Sequence, residues 1–401
     1  METRHRYTPL SELNARCEKL RRHLKQKDIG GALIVQNADL FYFSGTAQQA
    51  NLYIPAEGEP LLMVRKDFER ARAESALERV VSFSSPKQIP GIMRDHGISV
   101  PKKLGMELDV VPANLYFSFA RLFEGTEITD ASTAIRMIRA VKSEYEIGLI
   151  REAAGLSDKL AASVPGFLRQ GIPEVELAGR IEAEARKMGH QGIVRMRLWG
   201  SELFYGHVMA GPSAAVPSYL SSPTGGAGVN PAIAQGAGMR PVGRNEPVLV
   251  DMVFAADGYN SDHARIYCIG KPPADLFAAH QVMLDIQEAV KKAAAPGTPA
   301  GDLYELALGM ADEKGLADYF MGVGEQRIRF VGHGIGLELD EFPFLARGQK
   351  MPLEEGMIIA LEPKVIIPGK GVVGIENTHV VTENGLEQLG EYNEGITIIK
   401  E

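Results

Sequence analysis

Three apolar stretches in the second half of this 401-residue sequence each carry a carboxylate where a buried strand would place a hydrocarbon. The first is Val248-Leu249-Val250-Asp251-Met252-Val253-Phe254, followed by Asp257-Gly258 and then Ser261-Asp262. The others are Ile358-Ile359-Ala360-Leu361-Glu362-Pro363 and Val372-Val373-Gly374-Ile375-Glu376-Asn377. An unpartnered buried carboxylate is costly, so the fold must bring these acids to a cation, a proton or water. Asp-Gly between apolar runs is a hairpin signal. With Asp257 and Gly258 at the centre of the turn, Val253 lies opposite Asp262, and strand alternation puts Asp251 on the face of Val253. Asp251 and Asp262 are then diagonal neighbours at about 7–8 Å. Two carboxylates aimed at each other repel unless something positive joins them. Taken alone, the pair reads equally as a hairpin with two solvent-facing aspartates, and each glutamate as half of a structural ion pair.

Phe330-Val331-Gly332-His333-Gly334-Ile335-Gly336 adds one imidazole set between glycines, which permit close backbone approach. Four acids and one histidine, all in apolar or glycine-rich surroundings, are better explained by one site than by five separate accidents. Oxygen-rich ligation with a single nitrogen suits two divalent ions such as Mn, Co, Zn or Fe.

The order of these residues resembles the pita-bread metallopeptidase family, which includes methionine aminopeptidase, aminopeptidase P, prolidase and creatinase. The resemblance rests on Asp251, Asp262 eleven residues later within Gly258-Tyr259-Asn260-Ser261-Asp262-His263-Ala264-Arg265, His333 in its Gly-His-Gly-Ile-Gly run, Glu362 before Pro363, and Glu376 before Asn377. Asn37-Ala38-Asp39-Leu40-Phe41-Tyr42-Phe43-Ser44-Gly45 is similar to the creatinase/prolidase N-terminal domain, and Lys142-Ser143-Glu144-Tyr145-Glu146 to the start of the catalytic domain. The resemblance implies that Asp251 binds one metal, that Asp262 and Glu376 bridge both, and that His333 and Glu362 complete the other. It implies hydrolysis of Xaa-Pro bonds in small peptides by a metal-activated water, with Glu362 as proton shuttle, and a homodimer.

The sequence departs from the family pattern at two histidines. Where His-Glu-x-Pro is expected it reads Asp340-Glu341-Phe342-Pro343. After Gly211-Pro212-Ser213-Ala214-Ala215-Val216-Pro217, where another histidine is expected, stands Ser218; a register counted back from Asp251 places that position near Ala234 or Gln235 instead. An ionised Asp340 cannot donate to an oxyanion, but it could bind a cationic group of the substrate. Ser218 can donate, and His207 is the better substitute, since His263 and His379 stand an odd number of residues from a ligand and face away. Smaller departures are Lys364, where glycine usually follows the Glu-Pro pair, and Gly374, where arginine usually precedes Ile-Glu; both imply a remodelled substrate pocket. A non-peptidase C–N hydrolase of the creatinase or ectoine-hydrolase type, and a non-catalytic metal-binding protein, are the alternatives these departures raise.

Two domains fit the length: an α/β N-terminal creatinase-like domain over 1–137 and an α+β pita-bread catalytic domain over 138–401. In the first, Leu13, Cys17, Leu20 and Leu24 recur at helical spacing behind Ser11 as N-cap, and Ala32–Val35, Leu61–Val64 and Val80–Phe83 read as strands. Ser143 and Glu146 form a capping box, a second helix starts near Pro173, and the rest from about Arg195 is read as strands interrupted by one helix over 300–314. The net charge of −8 and the lack of a Lys/Arg run disfavour nucleic acid. No apolar run approaches a membrane span, Met1 to Tyr7 holds no secretory h-region, and two cysteines make no disulfide framework; a reducing cytoplasm is expected. Thr224–Gly228 and Gln235–Gly238 lack a Gly-Lys-Ser/Thr sequence, so they read as loops near the pocket rather than phosphate cradles.

Overall fold

A computed structural model describes residues 5–202, 205–217 and 222–400. The chain divides into two compact units, residues 1–139 and 140–401.

The first unit is built on a six-stranded sheet. Its strands are β1 (Gly31–Ile34), β2 (Ala50–Pro55), β3 (Leu61–Val64), β4 (Val80–Ser82), β5 (Lys103–Met106) and β6 (Glu127–Asp130), in the order β4-β3-β2-β1-β5-β6. β1 and β3 are buried at every position, as continuous apolar strands covered on both faces should be. The first helix runs Leu10–Gln26 and is capped by Pro9 without a side-chain hydrogen bond. Ser11 is therefore inside the helix rather than at its N-cap. Pro9 has no N–H to satisfy and pre-sets the entry angle, so the start falls earlier than the serine suggests.

The second unit opens as expected: Ser143 caps the helix Glu144–Ser163, and its hydroxyl and the Glu146 carboxylate exchange bonds with each other's backbone N–H. A second helix, Glu174–Lys187, follows Pro173. The strands then are β7 (Gly206–Ala210), β8 (Val248–Ala256), β9 (Tyr259–Ile269), β10 (Phe330–Gly334), β11 (Glu341–Ala346), β12 (Ile358–Leu361), β13 (Lys364–Ile367), β14 (Gly371–Gly374), β15 (Asn377–Thr382), β16 (Gly385–Gln388) and β17 (Thr397–Ile399). They form a sheet β17-β9-β8-β7, a sheet β11-β10-β12-β15-β16, and the hairpin β13-β14.

Two helices, not one, interrupt the strands: Ala274–Ala293 and Ala300–Glu313. The first is missing from the sequence reading, although Leu276, Ala279, Met283, Ile286 and Val290 bury one face at helical spacing. Both helices pack into the same core as Leu249, Ile266, Ile359 and Val381.

Alternation decides what β8 offers to each side. Val248, Val250, Met252 and Phe254 join a core with Leu160, Leu177 and Ile181 of the two leading helices. Leu249 belongs to the other core, with Ile266 and Ile359. Asp251 stands on that second face, between Leu249 and Val253.

Candidate metal centre

The β8–β9 turn is the hairpin the sequence implies. Ala256 pairs with Tyr259, Val253 with Asp262 and Asp251 with Ala264. Asp257 and Gly258 both have positive φ (48° and 89°), as the tight turn requires. Asp251 and Asp262 thus share a face. The second sheet closes on this face: Ala264 of β9 bridges to Glu376, the Glu376 N–H and carbonyl both engaging Ala264. Thr378 Oγ1 accepts from the Asp262 N–H at 2.9 Å and donates to the Asp262 carbonyl at 3.1 Å. Arg265, on the opposite face of β9, donates to the Glu376 carbonyl at 2.8 Å and to Asn377 Oδ1 at 2.7 Å. The backbones carrying two of the acids are therefore cross-linked independently of their carboxylates.

His333 enters from β10, paired with Ala360 of β12. The flanking glycines are required by space. A Cβ on Gly332 would stand 2.6 Å from the Ala360 carbonyl, and one on Gly334 2.1 Å from that of Phe342. His333 Nδ1 lies 3.0 Å from the Gly334 carbonyl and 3.6 Å from Asp340 Oδ1, which leaves Nε2 turned toward the acids, 3.9 Å from Asp262 Oδ2 and 4.0 Å from Glu376 Oε1. Donor atoms of Asp262, His333 and Glu376 lie within 4.8 Å of one another.

Asp251, Glu362 and Glu376 converge on a different centre, the ammonium of Lys364. Its Nζ is 3.0 Å from Asp251 Oδ2, 2.8 Å from Glu362 Oε2 and 2.6 Å from Glu376 Oε2. The sequence marks Lys364 as a departure next to a ligand but does not by itself place its head inside the cluster. The available signal is a lysine opening the apolar strand Lys364-Val365-Ile366-Ile367, two residues beyond a buried glutamate, so that both side chains leave the same face.

The electrostatics follow from this crowding. Burial and the neighbouring acids Glu376 and Asp251 push the Asp262 carboxyl well above its ordinary range. Burial raises Glu376 to about 8, with Lys364 pulling down and Glu362 and Asp251 pushing up. Burial alone would lower Lys364, but Asp251, Glu362 and Glu376 outweigh it and hold it protonated. Burial likewise disfavours a charged His333, and Asp340, Glu362 and Glu376 reverse the sign. This is an acid-rich centre short of positive charge.

A cavity of about 520 Å³ opens on the cluster and is lined by Asp251, Asp262, His333, Glu362 and Glu376 together with His207, Asp340, Phe330 and Trp199. All five residues read from the sequence as ligands, and both Asp340 and His207, are thus brought together. His207 pairs with Asp251 across β7–β8, and its Nδ1 lies 2.8 Å from Thr224 Oγ1. Burial lowers its pKa to about 4, so the ring is neutral at pH 7. Ser218 lies outside the described residues. His263 and His379 are away from the cavity, as alternation requires. His263 contacts Ser261 and faces Asp158, and His379 is fully buried.

Known families match both parts of the chain. Residues 148–383 match the profile of Metallopeptidase family M24, and residues 16–141 that of the Creatinase/Prolidase N-terminal domain. The chain is 27% identical over 381 residues to an Xaa-Pro dipeptidase of Pyrococcus furiosus, covering 94% of this chain and 98% of the relative. The crystal structure of a prolidase from Pyrococcus horikoshii superposes with a TM-score of 0.79 at 26% identity, covering 95% of this chain and 99% of that one. The dipeptidase PepE of Mycobacterium ulcerans gives 0.80 at 25%, covering 99% and 100%.

Proposed function

This chain belongs to metallopeptidase family M24, and from that premise we propose that it is a metal-dependent peptidase that hydrolyses Xaa-Pro bonds in di- and tripeptides. The observation that carries the reading is the convergence of Asp251, Asp262, His333, Glu362 and Glu376 on one cavity. The cavity's volume suits a small ligand, and relatives matched over nearly the whole chain are named Xaa-Pro dipeptidases.

The residues fit one divalent ion well. Asp262, His333 and Glu376 would hold it, and Asp262 Oδ1 is buried with no hydrogen-bond partner. Mn, Co, Zn and Fe all accept such donors, with manganese the first to try. The second ion of the expected pair does not fit as the cluster stands, because Asp251, Glu362 and Glu376 already close on Lys364. A bound ion supplies Lewis-acid polarisation of the scissile carbonyl and a lowered pKa for water.

The chain's own residues then divide the remaining work. Glu362 takes the proton of the attacking water and passes it toward the departing nitrogen. His207, a neutral imidazole positioned by Thr224, faces the developing oxyanion, where a donor contributes roughly 2.7–4 kcal/mol. Asp340 receives the cationic amino terminus of the peptide. Ser218 remains a candidate donor by sequence alone. The net charge of −8 supports a small-peptide substrate over nucleic acid. We place the enzyme in the cytoplasm as a homodimer. Two buried cysteines that form no disulfide accord with a reducing location, and among the described residues no helix is long and apolar enough to cross a membrane.

Asp340, standing where the family pattern has a histidine donor, favours one second reading: hydrolysis of a small non-peptide amide or amidine. The test is hydrolysis of a panel of Xaa-Pro dipeptides and tripeptides, plus creatine and ectoine, by protein reconstituted with Mn, Co or Zn beside a chelated control. Metal-dependent release of the residue before proline is expected. Turnover of creatine or ectoine alone would move the assignment to the second reading, and binding without any turnover would leave a metal-binding protein.

A further inference from the structure

We infer that the Lys364 ammonium is a built-in replacement for one of the two metal ions, so that this site binds a single divalent ion, on Asp262, His333 and Glu376. The inference rests on reading the cluster as a metal site and concerns how many ions it takes.

An ammonium has three protons and no lone pair. Lys364 places one carboxylate oxygen against each, at 2.6, 2.8 and 3.0 Å. Three of the five candidate ligands therefore point at a nitrogen instead of being left to a second ion. The head is not a surface lysine folded inward: its side chain is 1% exposed. Displacing it would strand a charge in the core and leave three carboxylates to find another partner, and breaking a buried ion pair is strongly unfavourable.

The facing strand approaches Lys364 closely, at a position without a side chain. Lys364 pairs with Gly374 across the β13–β14 hairpin. A Cβ on Gly374 would lie 2.7 Å from Lys364 Cα, 2.8 Å from its Cγ and 2.4 Å from the Pro363 carbonyl. The two departures flanking Glu362 and Glu376 in the sequence are thus one feature. Lys364 stands on one strand opposite Gly374 on the other, and from there its cationic head reaches the carboxylates.

Glu376 divides the cluster. Its Oε2 accepts from Lys364, while Oε1 faces His333 Nε2 at 4.0 Å. It therefore spans both positions, as a bridging ligand would, with an ammonium on one side. Charge supports the same count. In the metal-loaded site, where all four acids are ionised, Asp251, Asp262, Glu362 and Glu376 against one ammonium leave three negative charges, which a single divalent ion largely offsets. Two divalent ions beside the ammonium would exceed the four carboxylates.

The experiment is a metal count on the full-length protein, stripped with chelator and titrated with Mn(II), read by calorimetry and elemental analysis of the dialysed protein. The wild-type chain should take one ion per chain and show the resolved hyperfine spectrum of an isolated Mn(II). Lys364→Gly should take two, with the spectrum of an exchange-coupled pair. Two ions in the wild type, or none, would overturn the inference, as would one ion in a folded Lys364→Gly. Should that variant fail to fold, Lys364→Ala, which likewise empties the ammonium's place, provides the second comparison: it should raise the count above one, and an unchanged count would count against the inference. No substrate enters this measurement, so an inactive protein binding one ion per chain would defeat the peptidase reading and leave this one standing.

Discussion

Each unit buries a cluster of opposite charges, and the two clusters are balanced differently. In the first unit, Arg139 Nη1 meets Asp39 Oδ1 at 2.6 Å, both essentially inaccessible. Nearby Glu107 accepts from the Val35 and Gln36 N–H groups at 3.0 and 3.1 Å. Burial and the Asp39 charge raise Glu107 to about 8. One arginine, one carboxylate and one carboxyl that keeps its proton come out even. In the second unit, three acids close on a single ammonium beside a cavity while Asp262 Oδ1 has no hydrogen-bond partner, and crowding pushes both Asp262 and Glu376 toward keeping their protons. A balanced cluster needs nothing from outside and serves the fold. A cluster with more acids than protein cations holds protons instead, and beside a cavity a cation from solution can take their place.

The largest expected effect that sharpens this contrast is on activity. Asp262→Asn keeps the side chain's size and its backbone bonds to Thr378 while removing one acid from the crowded cluster. Hydrolysis and tight metal binding should fall to background, while the metal-free protein melts at the same or a higher temperature. A drop of several degrees in that melt would mean Asp262 serves the fold, and the contrast would fail. The next effect has the opposite sign. Arg139→Ala strands Asp39 in the core and should cost about 3–5 kcal/mol of stability, measured by denaturant unfolding, with metal stoichiometry unchanged in the folded fraction.

A smaller effect concerns pH. Glu107 holds its proton to about 8 when folded, against an ordinary carboxyl that releases it near 4.5. The folded unit therefore binds a proton that the unfolded chain has lost, so this contribution is whole below about 4.5 and disappears as pH rises toward 8. Glu107→Gln keeps an acceptor for Val35 and Gln36 and should flatten that decline, at most about 1.4 kcal/mol per pH unit; an unchanged slope in thermal midpoint would place the titration elsewhere. The smallest effect is at the surface. Glu387→Ala breaks an exposed pair with Arg151 at 2.8 Å and should cost no more than about 1 kcal/mol, so a larger loss would show that exposure is a poor guide to which pairs matter.

What could be read from the sequence follows from which rules are local. The β8–β9 register, the shared face of Asp251 and Asp262 and the turning-away of His263 all come from period-two alternation and an Asp-Gly turn. The Ser143–Glu146 cap is equally local. The helix Ala274–Ala293 was legible but hidden by the expectation of strands around it. The place of Lys364 was not legible. Sequence shows a lysine beside a ligand, but only the pairing of β13 with β14 aims its head at three carboxylates contributed by β8 and by the segments around Pro363 and Ile375. His207 is reached by elimination, because alternation turns His263 and His379 away; its register opposite Asp251 is visible only in the sheet, and its partner Thr224 belongs to a loop no periodicity describes.

The most direct test of the whole account is a metal titration of activity. Chelated full-length protein is given increasing Mn(II) and assayed on an Xaa-Pro dipeptide. Hydrolysis should rise from background in proportion to added ion and level off at one equivalent per chain. Hydrolysis that is already complete in chelator, that never appears, or that begins only with a second equivalent would contradict a single-ion peptidase built around Lys364.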